Sequence, residues 1–160
     1  MAEGLAFQPW DPTAARALVD GLKQLPGATL PILHALQETF GYVHDDAISL
    51  IAEALNLSRA EVVGVVHFYH DFRHEPPARH VLKVCRAEAC QAMGCEALTR
   101  HLEAALETAI GGTSPDGAVT LEAVYCLGNC ALSPAVMLDG RLIGRVTPER
   151  AKPIVATVRQ

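Results

Sequence analysis

The segment HVLKVCRAEACQAMGC, residues 80–95, decides how the chain is read. His80-Val81-Leu82-Lys83-Val84 reads as a strand, and it leads directly into Cys85. Two more cysteines follow at even spacing, giving Cys85-x4-Cys90-x4-Cys95. Further on, Val119, Leu121, Ala123 and Tyr125 alternate with Thr120, Glu122 and Val124. That is a half-buried strand ending at Cys126, the first member of a second group, Cys126-x3-Cys130. Both groups stand where a strand gives way to a loop. If Cys85 and Cys126 leave neighbouring strands at one edge of a sheet, their loops meet.

The remainder of this half completes an α/β unit. Residues 96–110, EALTRHLEAALETAI, form an amphipathic helix ended by Gly111-Gly112, and GTSPDG is a turn. PAVMLD and RLIGRV flank Asp139-Gly140, a two-residue hairpin signal. Thr147-Pro148 caps and opens a last helix, ERAKPIVATV, in which Pro153 sits near the first turn or kinks it. The order strand, helix, strand, hairpin, helix predicts one sheet with helices packed on it.

The first half reads as helices. Asp11-Pro12 caps and opens TAARALVDGLKQL, which stops at Leu25-Pro26-Gly27. Thr29 caps a second helix, ILHALQETF, ending at Gly41, and Asp45 or Asp46 opens a third. Ser58-Arg59-Ala60-Glu61 is a capping box before a fourth helix, with Val62, Val65, Val66 and Tyr69 on one face. Pro76-Pro77 cannot continue that helix. We therefore expect a helical bundle over residues 1–75, serving subunit docking, and an α/β domain over residues 80–160.

Composition excludes several classes. Half of the 160 residues are hydrophobic, enough for a core, and a formal net charge of -5 argues against general nucleic-acid binding. The opening MAEGLAFQPWDP has no secretory pattern, and no apolar run approaches the ~20 residues that span a bilayer. A cytoplasmic protein with no direct membrane insertion is expected. Five cysteines in a reducing compartment then point to metal binding or thiol chemistry before disulfides.

Four thiolates from two loops make an all-cysteine site. Zinc prefers C-x2-C knuckles, since one ion must be reached by both sulfurs of a pair. A [2Fe-2S] cluster offers two irons with two cysteines each, and it tolerates looser loops. The spacing favours the cluster, with a structural four-cysteine zinc module as the alternative. A thioredoxin-type thiol enzyme needs C-x-x-C, which the chain lacks. Neither G-x-G-x-x-G after a strand nor G-x-x-x-x-G-K occurs, so no motif for NAD or flavin is present. His67, His70 and His74 read as solvated or interface residues rather than ligands, and Arg86 and Glu88 as solvent-facing. Gly94, Gly128 and Asn129 either let backbone approach the cluster or serve ordinary turns.

VCRAEACQAMG followed by YCLGNCALSPAVMLDGRLIGRVTPE closely resembles the thioredoxin-like [2Fe-2S] ferredoxins, and LPILHALQETFGYV resembles their amino-terminal bundle. That family includes the 24-kDa-type subunit of respiratory complex I and its relatives in NAD-reducing hydrogenases and NAD-dependent formate dehydrogenases. The resemblance implies a small helical bundle followed by a thioredoxin-like α/β domain (α+β or α/β in class). It also implies that Cys85, Cys90, Cys126 and Cys130 ligate the cluster and that Cys95 is a spare, buried thiol. The Arg-Ala-Glu-Ala filling between Cys85 and Cys90 looks most like the gamma subunit of molybdenum-containing, NAD-dependent formate dehydrogenase. Such a chain is no catalyst alone. It passes single electrons beside an FMN- and NAD-binding flavoprotein subunit and a large formate-oxidising subunit, so FMN, NAD, [4Fe-4S] and molybdenum cofactor belong to partners. Complex I and NAD-reducing hydrogenase are the alternative parents.

Overall fold

Asp11 caps the first helix by accepting the Thr13 N–H at 2.9 Å, with Pro12 in the first helical position. This computed structural model describes residues 7–159, which divide into two compact units, Phe7–Pro76 and the residues from Pro77 onward.

The first unit packs α1 (Pro12–Leu22), α2 (Thr29–Phe40), α3 (Asp45–Leu55) and α4 (Arg59–Phe68) around Ile32, Leu33, Leu36, Phe40, Ile51 and Val62. Its termini differ from expectation in three places. Thr29 lies inside α2, whose N-cap is Ala28 with no side-chain cap bond. His44 caps α3, its Nδ1 accepting the Asp46 N–H at 3.1 Å; Asp45 and Asp46 instead occupy the first turn, where the helix dipole favours negative charge. Tyr69 does not share the helical face of Val62 and Val66: it ends α4 in extended backbone and is 43% exposed. The capping box of Ser58 and Glu61 forms in both directions. Gln37, buried, accepts the Arg73 N–H and donates to the Asp71 carbonyl, each at 2.7 Å, which fixes the segment after α4 against α2.

The second unit is built on a four-stranded sheet in the order β2-β1-β3-β4. β1 (His80–Cys85) runs parallel to β2 (Val119–Val124) and antiparallel to β3 (Val136–Leu138), which turns through Asp139-Gly140 into β4 (Arg141–Ile143). Asp139 and Gly140 have φ of 49° and 82°, as a tight two-residue hairpin requires. Asp139 also anchors that hairpin: its carboxylate meets His80 Nδ1 at 2.6 Å and accepts the Val81 N–H at 2.8 Å. α5 (Glu88–Ala92) follows β1, α6 (Cys95–Leu106) precedes β2, and α7 (Pro148–Val158) closes the unit. Leu82, Val84, Leu98, Leu102, Leu121, Val136, Ile154 and Val158 form its core.

The second unit also departs from expectation. The helix expected over 96–110 stops at Leu106, because Glu107 turns left-handed at φ 54° and the Ile110 N–H goes to Glu103 Oε1. Gly111 then donates its N–H to the Leu121 carbonyl at 2.7 Å, so it joins the sheet's margin instead of terminating the helix. β2 ends at Val124, and Tyr125 projects outward, 74% exposed. Pro153 lies inside α7, which runs on through it from its Thr147 cap. Among the described residues no helix is long and apolar enough to cross a membrane.

Candidate metal centre

The parallel pairing of β1 and β2 places Cys85 opposite Val124, so Cys126 emerges two residues beyond at the same end of the sheet. The backbone holds that end closed: Cys85 donates its N–H to the Ala135 carbonyl at 3.0 Å and Arg86 to Val124 at 2.8 Å. After Cys85 the chain turns at Ala87 into α5, which carries Cys90 back into the interior. Opposite, Cys126 adopts φ 121°, a conformation L-residues rarely take, and Gly128 follows at φ 74°. The Gly128 N–H donates to Cys126 Sγ at 3.3 Å, and Cys130 then opens a 3-10 turn over Cys130–Leu132.

The two loops influence each other's thiols, and Ser133 Oγ of the second stands 3.5 Å from Cys90 Sγ of the first. Burial pushes the Cys85 thiol up, but donation from the Ala87, Leu127 and Cys126 N–H groups and from the Cys90 thiol outweighs it, and the net shift is downward. Two of those donors belong to the Cys126 loop. Cys130 is raised, first by its hydrogen bond with Cys126 and then by charge on Cys126, Cys90 and Cys85. The four predicted ligands therefore form one electrostatic group, paired Cys85 with Cys90 and Cys126 with Cys130. Cys85 and Cys90 are buried, while Cys126 and Cys130 are exposed.

Cys95 is the first residue of α6, fully buried beside Cys85, Cys90 and Ala135. Burial, and then neighbouring charge at Cys90, pushes its thiol up. It packs behind the pairs as a neutral hydrophobe.

Among the described residues no three His, Cys, Asp or Glu side chains converge as one ion would require. A diiron cluster requires two sulfurs per iron instead, and backbone N–H groups directed at sulfur are what stabilise its thiolate charge. The paired donors and their N–H contacts fit a [2Fe-2S] group. Residues 15–159 match the family described as thioredoxin-like [2Fe-2S] ferredoxin. The chain belongs to this family. The cofactor of the ferredoxin is accordingly a [2Fe-2S] cluster.

Relatives extend the likeness along most of the chain. The NADP-reducing hydrogenase subunit HndA of Solidesulfovibrio fructosivorans is 33% identical over 138 residues, covering 86% of this chain and 81% of its own length. A subunit of the NADH-quinone oxidoreductase of Pseudomonas aeruginosa is 36% identical over 76% of this chain and 74% of its own. Among solved structures, NAD+-reducing [NiFe]-hydrogenase in the air-oxidized state superposes with a TM-score of 0.71 at 25% identity over 86% of this chain. The ferredoxin spans only 23% of that hydrogenase chain.

The remaining candidates separate cleanly in the ferredoxin. Gly128 and Gly94 (φ 89°) have open space where a Cβ would stand, so left-handed backbone is what requires glycine at both. Glu88 is exposed and Arg86 is half-buried rather than solvent-facing. The His67 ring lies 4.7 Å from that of His74, with its Nδ1 3.0 Å from the Val63 carbonyl oxygen.

Sequence reasoning missed two contributors. Gly144, after β4, passes so close to the second loop that a Cβ would stand 2.6 Å from Leu132 Cβ and 2.8 Å from Asn129 Nδ2. Ser133, buried, donates to the Cys130 carbonyl at 2.8 Å and lies 3.5 Å from Cys90 Sγ. A serine and a glycine near cysteines announce nothing by spacing; only the loop's proximity to β4 and α5 gives them a role.

Proposed function

We propose that this chain is the electron-transfer subunit of a cytoplasmic NAD-dependent formate dehydrogenase, with Cys85, Cys90, Cys126 and Cys130 holding its [2Fe-2S] cluster. What supports the ligand set is that both loops leave the same end of the sheet, Cys85 lying opposite Val124, and that Ser133, after Cys130, brings its Oγ to 3.5 Å from Cys90 Sγ. The cluster supplies one-electron acceptance and release. Around it, Ala87, Leu127 and Gly128 present N–H groups to thiolate charge, and α5 keeps Cys90 out of water. Cys126 and Cys130 lie at the surface, where a redox partner can approach.

The formate-linked assignment rests on Arg86-Ala87-Glu88-Ala89, a loop filling like that of the formate dehydrogenase gamma subunits. It carries with it an FMN- and NAD-binding partner and a large molybdenum-containing partner. Cytoplasmic placement belongs to the same proposal and is supported by five free cysteines. The relatives named above support a second reading, in which the same electron-carrying role serves a pyridine-nucleotide-linked hydrogenase or quinone oxidoreductase.

Purification of the intact complex from its host, followed by assay, separates the readings. Formate-dependent NAD+ reduction with molybdenum in a co-purifying large subunit is the expected result. Hydrogen- or quinone-linked activity in its place moves the chain to the second reading. A colourless protein, made anaerobically with stoichiometric zinc, removes the redox function altogether.

A further inference from the structure

We propose that Ser133 sets the reduction potential of the centre by donating a hydrogen bond to the sulfur of Cys90. The inference rests on the ligand set proposed above. Ser133 is 9% exposed, one of few polar side chains buried in the α/β unit. Its hydroxyl faces two groups from the two different loops: the Cys130 carbonyl at 2.8 Å and Cys90 Sγ at 3.5 Å.

With Cys90 protonated, its one thiol proton has two acceptors in reach, Ser133 Oγ and the Cys85 sulfur, and the Ser133 hydroxyl donates to the Cys130 carbonyl. A Cys90 that ligates iron is a thiolate and has no proton to give. The pair then shares a single proton, that of the serine, between a neutral carbonyl and a charged sulfur. Donation to an ionised acceptor is about twice as strong as to a neutral one, and in a buried site that difference is not diluted by water. The hydroxyl therefore rotates toward Cys90. An added electron places more negative charge on the ligand sulfurs, so the O–H group stabilises the reduced form and raises the potential.

The test uses the full-length, cluster-loaded protein and three variants. In Ser133→Ala, two irons per chain are retained and the midpoint potential moves negative, a change of up to about tenfold in the reduction equilibrium, or about 59 mV for one electron. Ser133→Thr, which keeps the hydroxyl, restores it. In parallel, hyperfine spectroscopy of the reduced protein in deuterated water detects an exchangeable proton beside the cluster that Ser133→Ala lacks. Equal potentials and equal exchangeable-proton signals in wild type and Ser133→Ala overturn the proposal. Should Ser133→Ala lose iron, Ser133→Gly carries the same comparison. Iron loss in both, with retention in Thr, makes the hydroxyl a structural tie and also overturns it. The ligand set fails by a different result: Cys90→Ser that keeps a wild-type visible spectrum.

Discussion

Cys85 and Cys95 are both buried thiols of one small cluster, yet their surroundings prepare them for opposite states. The Cys85 thiol is lowered on balance, burial being outweighed by the backbone N–H groups of Ala87, Leu127 and Cys126 and by the Cys90 thiol. Cys95 is raised by burial and by like charge, so ionising it is unfavourable. With the proposed ligand set, serine at Cys85, Cys90, Cys126 or Cys130 should abolish the visible [2Fe-2S] spectrum. Cys95→Ser should keep two irons per chain and instead lower stability by about 1–3 kcal/mol, the cost of a buried hydroxyl short of partners. Iron analysis beside thermal melts reads both effects. Loss of the cluster in Cys95→Ser with retention in Cys85→Ser would reverse the assignment.

Elements carry the next set of effects. The capping box at the start of α4 leaves the Glu61 carboxyl below its ordinary value, through the Ser58 backbone N–H and then its hydroxyl. A carboxylate depressed on folding contributes stability above its unfolded pKa and loses it as pH falls through the folded one. Ser58→Ala should cost about 1 kcal/mol at neutral pH, and the deficit relative to wild type should shrink in acid, as denaturant melts at several pH values would record. In the other unit, Gly144 lets β4 lie against the Cys130 loop, and a methyl there meets Leu132 backbone as well as side chain. Gly144→Ala should destabilise by about 1–3 kcal/mol and shed iron faster to a chelator than wild type does; equal chelation rates would show that the loop yields without moving Cys130. These elements also show what a sequence discloses. Asp11-Pro12, Ser58 with Glu61, Asp139-Gly140 and Thr147-Pro148 act within a few residues of themselves, and each was legible for that reason. The stop at Glu107, α5 and the left-handed Cys126 carry no cap or turn signature in their residue types, and the contact of Gly144 with Asn129 joins residues fifteen apart in sequence. The four cysteines were legible through their spacing and strand-end positions, whereas Ser133, whose partners are carbonyl and sulfur, left no pattern to read.

At the scale of the whole molecule, every thiol proposed as a ligand belongs to one unit. Cys85, Cys90, Cys126 and Cys130 all follow Pro77, while residues 7–76 close around their own apolar core. Binding energy that acts only on the folded form stabilises the unit that supplies the ligands, which on the proposed set is the one from Pro77 onward. Removing the cluster should thus leave the two units with unequal losses. Hydrogen exchange on loaded and stripped protein should show faster exchange at the ends of β1 and β2 and through α5. Amides of α2 and α3, whose protection rests on Leu33, Leu36 and Ile51, should keep their rates. A single cooperative loss that includes α2 and α3 would mean instead that the helices depend on the centre for their fold, and the bundle would then be part of the redox unit rather than an independently stable one.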